Sequence, residues 1–270
     1  MKNRIDTKLL QLQTAGKKML SPYITAGDPE PGLTVQLMHT LVKAGADLLE
    51  IGIPFSDPMA EGPVIQAAME RALKHGVHCD YVLDMVKTFR QNDQQTPIVL
   101  MGYVNSVEFY GYERFAQNAS AAGVDGTILV DLPPEESGQV ADIWQKHNLR
   151  SIYLCSPTTS DERMALINHY GNGYLYYVSL KGVTGSSDFD LENVKQQYSY
   201  RKSQTRLPLM VGFGIKTAET AAAVADFADG VIVGAGVINA IYDAWQAGSD
   251  CTEAAFSLIN SMRQAIDNNG

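Results

Sequence analysis

Apolar side chains at Leu33, Leu37, Met38, Leu41 and Val42 recur at the spacing that collects them on one face of a helix. The period then changes. After Ala44-Gly45-Ala46-Asp47 comes LLEIG, a short aliphatic run of the kind that a parallel strand covered on both faces requires. The same passage from helix end to strand recurs at Ala122-Gly123-Val124-Asp125 before GTILVD and at Phe227-Ala228-Asp229-Gly230 before VIVGAG. Gly45 and Gly123 fall where a helix stops, a position that favours positive φ and hence a residue without a Cβ. Five further runs, at residues 19–25, 97–103, 151–155, 174–179 and 208–213, have strand composition with helix-like sequence between them.

Together these make eight strands in a β-then-α order, with no linker or break in composition. The alternation predicts an α/β fold with a parallel sheet, and eight repeats predict closure into a TIM (β/α)8 barrel over a doubly wound sheet. The whole chain, 1–270, reads as one barrel domain, a length such barrels reach. Extra N-terminal and C-terminal helices, over about residues 4–13 and 252–266, are expected to cover its ends or sides. Pro133-Pro134-Glu135-Glu136 sets proline and acids at a helix start just after the strand ending at Asp131.

Strand alternation also sorts the polar residues. In LLEIGIPF, Leu49, Ile51 and Ile53 share one side and Leu48, Glu50 and Gly52 the other. The wholly apolar side belongs against the helices, which turns Glu50 into the barrel. A carboxyl group there is held neutral by desolvation, with a pKa raised into the range useful for acid/base work; otherwise it is a structural glutamate bonded to backbone amides. Glu61 sits in the connection after this strand, between Pro54 and Pro63, a loop shaped by its prolines and glycine. It reads either as a solvated acid or as a second carboxylate that divides the work with Glu50. Asp57 likewise reads as a solvated loop acid. Asp131 reads as a helix cap as readily as a catalytic group.

Glycine-rich segments follow the late strands at Gly182-Val183-Thr184-Gly185, Gly212-Phe213-Gly214 and Gly234-Ala235-Gly236. In barrels the loops after strands 7 and 8 commonly hold phosphate, because glycine lets backbone N–H groups approach its oxygens. Gly234-Ala235-Gly236 lacks the third glycine of a dinucleotide fingerprint. His75, His78 and Cys79 follow a helix end at Gly76 with no second cluster, so the two histidines read as surface histidines, and no metal is expected. Tyr174, Tyr176 and Tyr177 are strand formers by propensity.

Composition narrows the partners. A net charge of -9 without a dense basic run argues against nucleic acid or an anionic membrane as principal partner, but a phosphate held by backbone amides is untouched by that argument. No run reaches the roughly 18 apolar residues of a membrane span, and no signal-like apolar stretch opens the chain, so a cytoplasmic location is expected. Cys79, Cys155 and Cys251 lie too far apart in sequence to suggest a disulfide framework or zinc site.

The segments PYITAGDP, LLEIGIPFSDPMAEGPVIQ, MGYVN, DLPPEES, GYLYYVSLKGVTG and VGFGI, in this order over nearly the whole chain, resemble the tryptophan synthase alpha subunit family. The resemblance implies a lyase that splits indole-3-glycerol phosphate into indole and glyceraldehyde 3-phosphate by retro-aldol chemistry, with no cofactor in this subunit. It implies that Glu50 is the acid/base and that Glu61, where the family usually has aspartate, accepts the indole N–H. Tyr176 and Phe213 would lie beside the substrate, Gly185, Gly214, Gly234 and Ala235 would hold phosphate, and Thr184 would lie in a closing loop. Asp57 and Pro58 would dock on a beta subunit that carries pyridoxal phosphate, in an alpha2beta2 heterotetramer with allosteric coupling. Three departures stand out: Glu61 adds a methylene, Ala235 replaces a common serine, and Leu180 replaces a familiar arginine beside Lys181. They leave open a weakly catalytic alpha-like partner that chiefly activates the beta subunit, and more distantly another phosphosugar barrel enzyme.

Overall fold

A computed structural model describes residues 2–178, 191–212 and 214–268. Its strands are β1 (Met19–Thr25), β2 (Leu49–Gly52), β3 (Ile98–Gly102), β4 (Gly126–Leu129), β5 (Arg150–Ser151), β6 (Tyr153–Cys155), β7 (Leu175–Val178), β8 (Leu209–Gly212) and β9 (Gly230–Val233). All pair in parallel in the order β5-β4-β3-β2-β1-β9-β8-β7-β6. The two ends of that order are consecutive in the chain. Only Ile152 separates β5 from β6, and its N–H donates to the Thr127 carbonyl of β4 at 3.0 Å. The sheet is therefore a closed (β/α)8 barrel whose fifth strand changes partner, from β4 to β7, at Ile152. A staggered barrel asks for such a shift of register.

The predicted parity holds around the ring. Leu20, Ile24, Leu49, Ile51, Leu100 and Val211 pack with the helices in one buried cluster. Met19, Tyr23, Leu48, Val99, Met101, Ile128 and Met210 fill the barrel interior in another. A slip of one residue in β2 would exchange the two sets and expel Glu50 to the helix side. The helix Thr34–Lys43 buries Leu37, Met38 and Leu41, with Leu33 and Val42 half-buried against the same core. It stops at Gly45, where φ is 109°, and Gly123 plays the same part at φ 94°.

The predicted terminal helices run Arg4–Thr14 and Cys251–Asn268. The first lies across the strands' N-terminal ends. Asn3 caps it by accepting from the Ile5 N–H, and its own amide donates to the Asp125 and Asn148 carbonyls at 2.8 Å each. The last packs on the helices Thr34–Lys43, Ala218–Ala225 and Ala235–Gln246. Its Arg263 donates to the Lys18 carbonyl at 3.0 Å and to Asp47 at 3.2 Å.

Candidate active site

β2 delivers Glu50 to the interior with Tyr23 of β1 and Val99 of β3 in register beside it. Its side chain is fully buried. The Tyr174 hydroxyl donates to Oε1 at 2.7 Å, and Oε2 is left without a hydrogen-bond partner among the described residues. Burial therefore dominates and pushes the carboxyl up to about 8; the Tyr174 bond opposes the rise and the charge of Glu61 adds to it. At neutral pH Glu50 is a carboxylic acid with one oxygen available to a ligand.

Glu61 reaches the same interior from the loop after β2, and burial raises it to about 7. That loop is built, not loose. The Glu61 N–H donates to the Pro58 carbonyl at 3.0 Å, and Gln66, in the first turns of the helix Pro63–Lys74, donates its amide to the Glu61 carbonyl at 2.8 Å. The Ala60 N–H donates to the Tyr103 hydroxyl at 3.0 Å, and the Tyr103 ring stacks on Phe55 with centroids 4.9 Å apart.

Tyr176 and Tyr23 complete the chamber. Tyr176 feels both carboxylates and Tyr23, and burial, followed by those charges, lifts its hydroxyl well above the usual range. A Cβ on Gly212 would collide with the Tyr176 ring, and one on Gly52 with the Tyr23 ring, so both glycines are there for close approach. The Tyr23 hydroxyl is 3.1 Å from Thr25 Oγ1. Propensity and spacing do not mark Tyr23, Tyr103 or Tyr174 as site residues. Period-2 parity, carried through to β7 and the residue before it, does reach Tyr174, which shares the interior side with Tyr176 while Leu175 and Tyr177 face the helices.

The glycine segments after the last two strands come together. Gly234 caps the helix Ala235–Gln246, whose first N–H groups have no intrahelical acceptor. A Cβ on Gly236 would sit 3.5 Å from the Ile215 carbonyl and from Lys216, which places the Gly214 loop beside that helix start. Gly214 is exposed at φ 75°. A Cβ on Gly234 would lie 3.6 Å from Ile65 and 3.9 Å from Tyr23, so the helix start adjoins the carboxylate chamber. Thr184, Gly185 and Phe213, with Leu180 and Lys181, lie outside the described residues.

Other candidates have simpler roles. Asp131 does cap a helix, but a neighbour's: it accepts the Val104 N–H, at the start of the helix Val104–Tyr110, at 2.7 Å. The Pro133-Pro134 segment gives a 3₁₀ turn, Pro134–Glu136, ahead of the helix Gly138–Lys146. His75 and His78 are exposed. Asp57 is exposed, Pro58 half-buried, and Met59 beside them 85% exposed.

The chain matches the family described as Tryptophan synthase alpha chain over residues 9–267. It is 68% identical over 268 residues to the tryptophan synthase alpha chain of Legionella pneumophila (strain Lens), covering 99% of this chain and 98% of that one. Its fold superposes on the crystal structure of tryptophan synthase subunit alpha from Legionella pneumophila str. Paris with a TM-score of 0.96 at 64% identity, over 99% of this chain and 100% of that one. A Mycobacterium tuberculosis tryptophan synthase structure gives a TM-score of 0.87 at 29% identity, over 98% and 99% of the two chains.

Proposed function

Because this chain belongs to the tryptophan synthase alpha chain family, whose members are lyase subunits that cleave indole-3-glycerol phosphate in tryptophan biosynthesis, we propose that Glu50 and Glu61 divide the acid/base work of that cleavage. The observation that carries the assignment is Glu50: buried, neutral at pH 7, fixed through one oxygen by Tyr174 and with the other oxygen unpartnered. Its proton goes to the indole ring carbon that bears the side chain, leaving positive charge on the ring nitrogen. The resulting carboxylate then takes the proton of the side-chain hydroxyl as the C–C bond breaks. The bond's electrons return to the ring, releasing indole and glyceraldehyde 3-phosphate, and Glu50 is again protonated. Glu61, whose lower pKa leaves it the more ionised of the two, accepts the indole N–H and stabilises the ring charge.

Tyr176 flanks the ring, and the N–H groups around Gly214, Gly234 and Ala235 hold the phosphate, with Gly185 added from the loop that contains Thr184 and with Phe213 against the substrate. Ala235 keeps its backbone donor, so the missing serine hydroxyl is a small loss.

The partner is a beta subunit that carries pyridoxal phosphate, in an alpha2beta2 assembly; this subunit itself needs no cofactor. Asp57 and Pro58 form the docking loop. Met59, 85% exposed in that loop, and Phe109, 94% exposed in the helix Val104–Tyr110 that follows β3, add apolar surface to it. The loop that turns Asp57 outward also carries Glu61 inward, which gives partner binding a direct route to the reacting groups and supports allosteric coupling. A cytoplasmic location fits the three buried cysteines, which are free thiols. Purified protein mixed with indole-3-glycerol phosphate, with and without a beta subunit, should release indole in both cases and faster with the partner. No indole in either mixture would refute the reading; release only with the partner would favour an alpha-like activator.

A further inference from the structure

We propose that Asp28, Arg71 and Tyr242 form a positioning strut that fixes the distance between the phosphate-holding helix start at Gly234 and the Glu61 loop, and thereby sets the turnover of the cleavage. The inference rests on the substrate reading above, in which phosphate and indole ring occupy opposite ends of one ligand.

Three segments meet at the strut. Asp28 follows β1, Arg71 lies in the last turn of the helix Pro63–Lys74, and Tyr242 lies in the second half of the helix Ala235–Gln246. Arg71 donates Nε to Asp28 Oδ1 at 2.6 Å and Nη2 to Oδ2 at 3.0 Å, a two-pronged bond that fixes direction as well as distance. The Asp28 side chain is 1% exposed. The Arg71 guanidinium carbon lies over the Tyr242 ring, 3.7 Å from its centroid. Tyr242 in turn stacks on Trp245, whose indole N–H donates to Glu30 at 3.2 Å, so the circuit returns to the loop after β1.

Each helix thus has a functional N-terminal end and an anchored C-terminal end. At the first end of Pro63–Lys74, Gln66 holds the Glu61 carbonyl; at the first end of Ala235–Gln246, Gly234 lies against Ile65 and Tyr23. Helices are stiff over this length, so a shift where they are anchored reappears at their functional ends. A misplacement of about 1 Å at a reacting group can cost about 100-fold in rate. Stability alone does not explain the choice of residues, because a buried ion pair is often replaced by apolar side chains of similar volume without loss. What an apolar pair cannot supply is the fixed fork between carboxylate and guanidinium.

The test uses full-length Arg71→Met and Tyr242→Leu, with Tyr242→Phe and Arg71→Lys for comparison. Each is assayed for indole release from indole-3-glycerol phosphate, inhibition by glycerol 3-phosphate, which occupies the phosphate end alone, and thermal midpoint. Arg71→Met and Tyr242→Leu should lose about 10- to 100-fold in kcat, while inhibition by glycerol 3-phosphate stays within about threefold of wild type. Arg71→Lys, with charge but no fork, should stay slow, and Tyr242→Phe, which keeps the ring, should restore wild-type turnover. Turnover within about twofold of wild type in both principal variants overturns the strut, as does a parallel loss of kcat and glycerol 3-phosphate binding, the mark of a merely loosened fold. If Arg71→Met does not fold, Tyr242→Leu, which leaves the ion pair in place, decides the question by the same criteria. Wild type that releases no indole overturns the substrate reading and the strut together; wild type that does, beside equally fast variants, overturns the strut alone.

Discussion

Replacing Glu50 with glutamine should make the protein more stable and nearly inactive. The carboxyl has a folded-state pKa of about 8 against an ordinary value of 4.5. A carboxyl raised in this way favours the fold fully below its unfolded value, and the advantage is lost as pH climbs through the folded value. At pH 7 the unfolded chain gains by ionising while folded Glu50 stays mostly neutral; about 2.5 pH units at ~1.4 kcal/mol each make this roughly 3 kcal/mol. At pH 9 the figure is roughly 5 kcal/mol, and at pH 5 about 1 kcal/mol. Glutamine has no such titration. It can still accept the Tyr174 hydroxyl through its carbonyl, and its amide takes the place of an oxygen that has no partner either. Denaturant unfolding of both proteins at the three pH values should therefore show a stability gap that widens with pH in favour of the variant. A gap that does not change with pH would refute the buried, neutral Glu50. In the indole-release assay the same variant should lose 10²- to 10⁴-fold in kcat, about 3–5 kcal/mol of barrier, with KM little changed. Retention of more than about a tenth of wild-type kcat would remove Glu50 from the acid/base role.

With Glu61 ionised and Glu50 protonated as the active form, kcat/KM should rise through about pH 7 and fall through about pH 8; Glu61→Gln should abolish the rising limb, and a profile flat from pH 6 to 9 would contradict the division of roles. Tyr174→Phe removes a bond that lowers the Glu50 pKa, so the falling limb should move to higher pH; no displacement would mean that the bond is absent in solution. At the phosphate end, Ala235→Ser should change KM only modestly, whereas Gly214→Val adds a side chain at φ 75° and should raise KM strongly; equal, small effects would count against the cradle. Asp57→Lys should weaken binding to a beta subunit and its stimulation of indole release, and unchanged affinity across several salt concentrations would take Asp57 out of the interface.

The periodic parts of the fold are legible in the sequence because they follow from local chemistry. β1 runs Met19–Thr25 as its apolar run proposes, and the parity of LLEIG is enough by itself to place Glu50 inside the barrel. Strand ends are less legible: β4 stops at Leu129, short of residue 131, because pairing ends where the chain turns off at the barrel's mouth. The change of partner at Ile152 has no local signature, since it arises from the stagger of the ring. Tyr174 shows only its strand propensity in the sequence, because the residue it serves is 124 positions away. Asp28 and Arg71 cannot be paired from sequence, because their contact depends on where two separate βα units come to lie.

The ring also dictates when in its synthesis the molecule can be completed. β1 pairs with β9, Met19 opposite Gly230, so the first strand made waits for the last. Until β9 has left the ribosome, β1 and β8 each present an unpaired parallel edge, a template for mispairing with another nascent chain. The helix Cys251–Asn268 emerges later still, and it bridges Thr34–Lys43 of an early unit and Ala218–Ala225 of a late one. This helix, made after every strand, is thus a latch over the seam, and a chain terminated before it must keep its barrel shut by strand pairing and by the helix Ala235–Gln246 packed on β1 and on Pro63–Lys74.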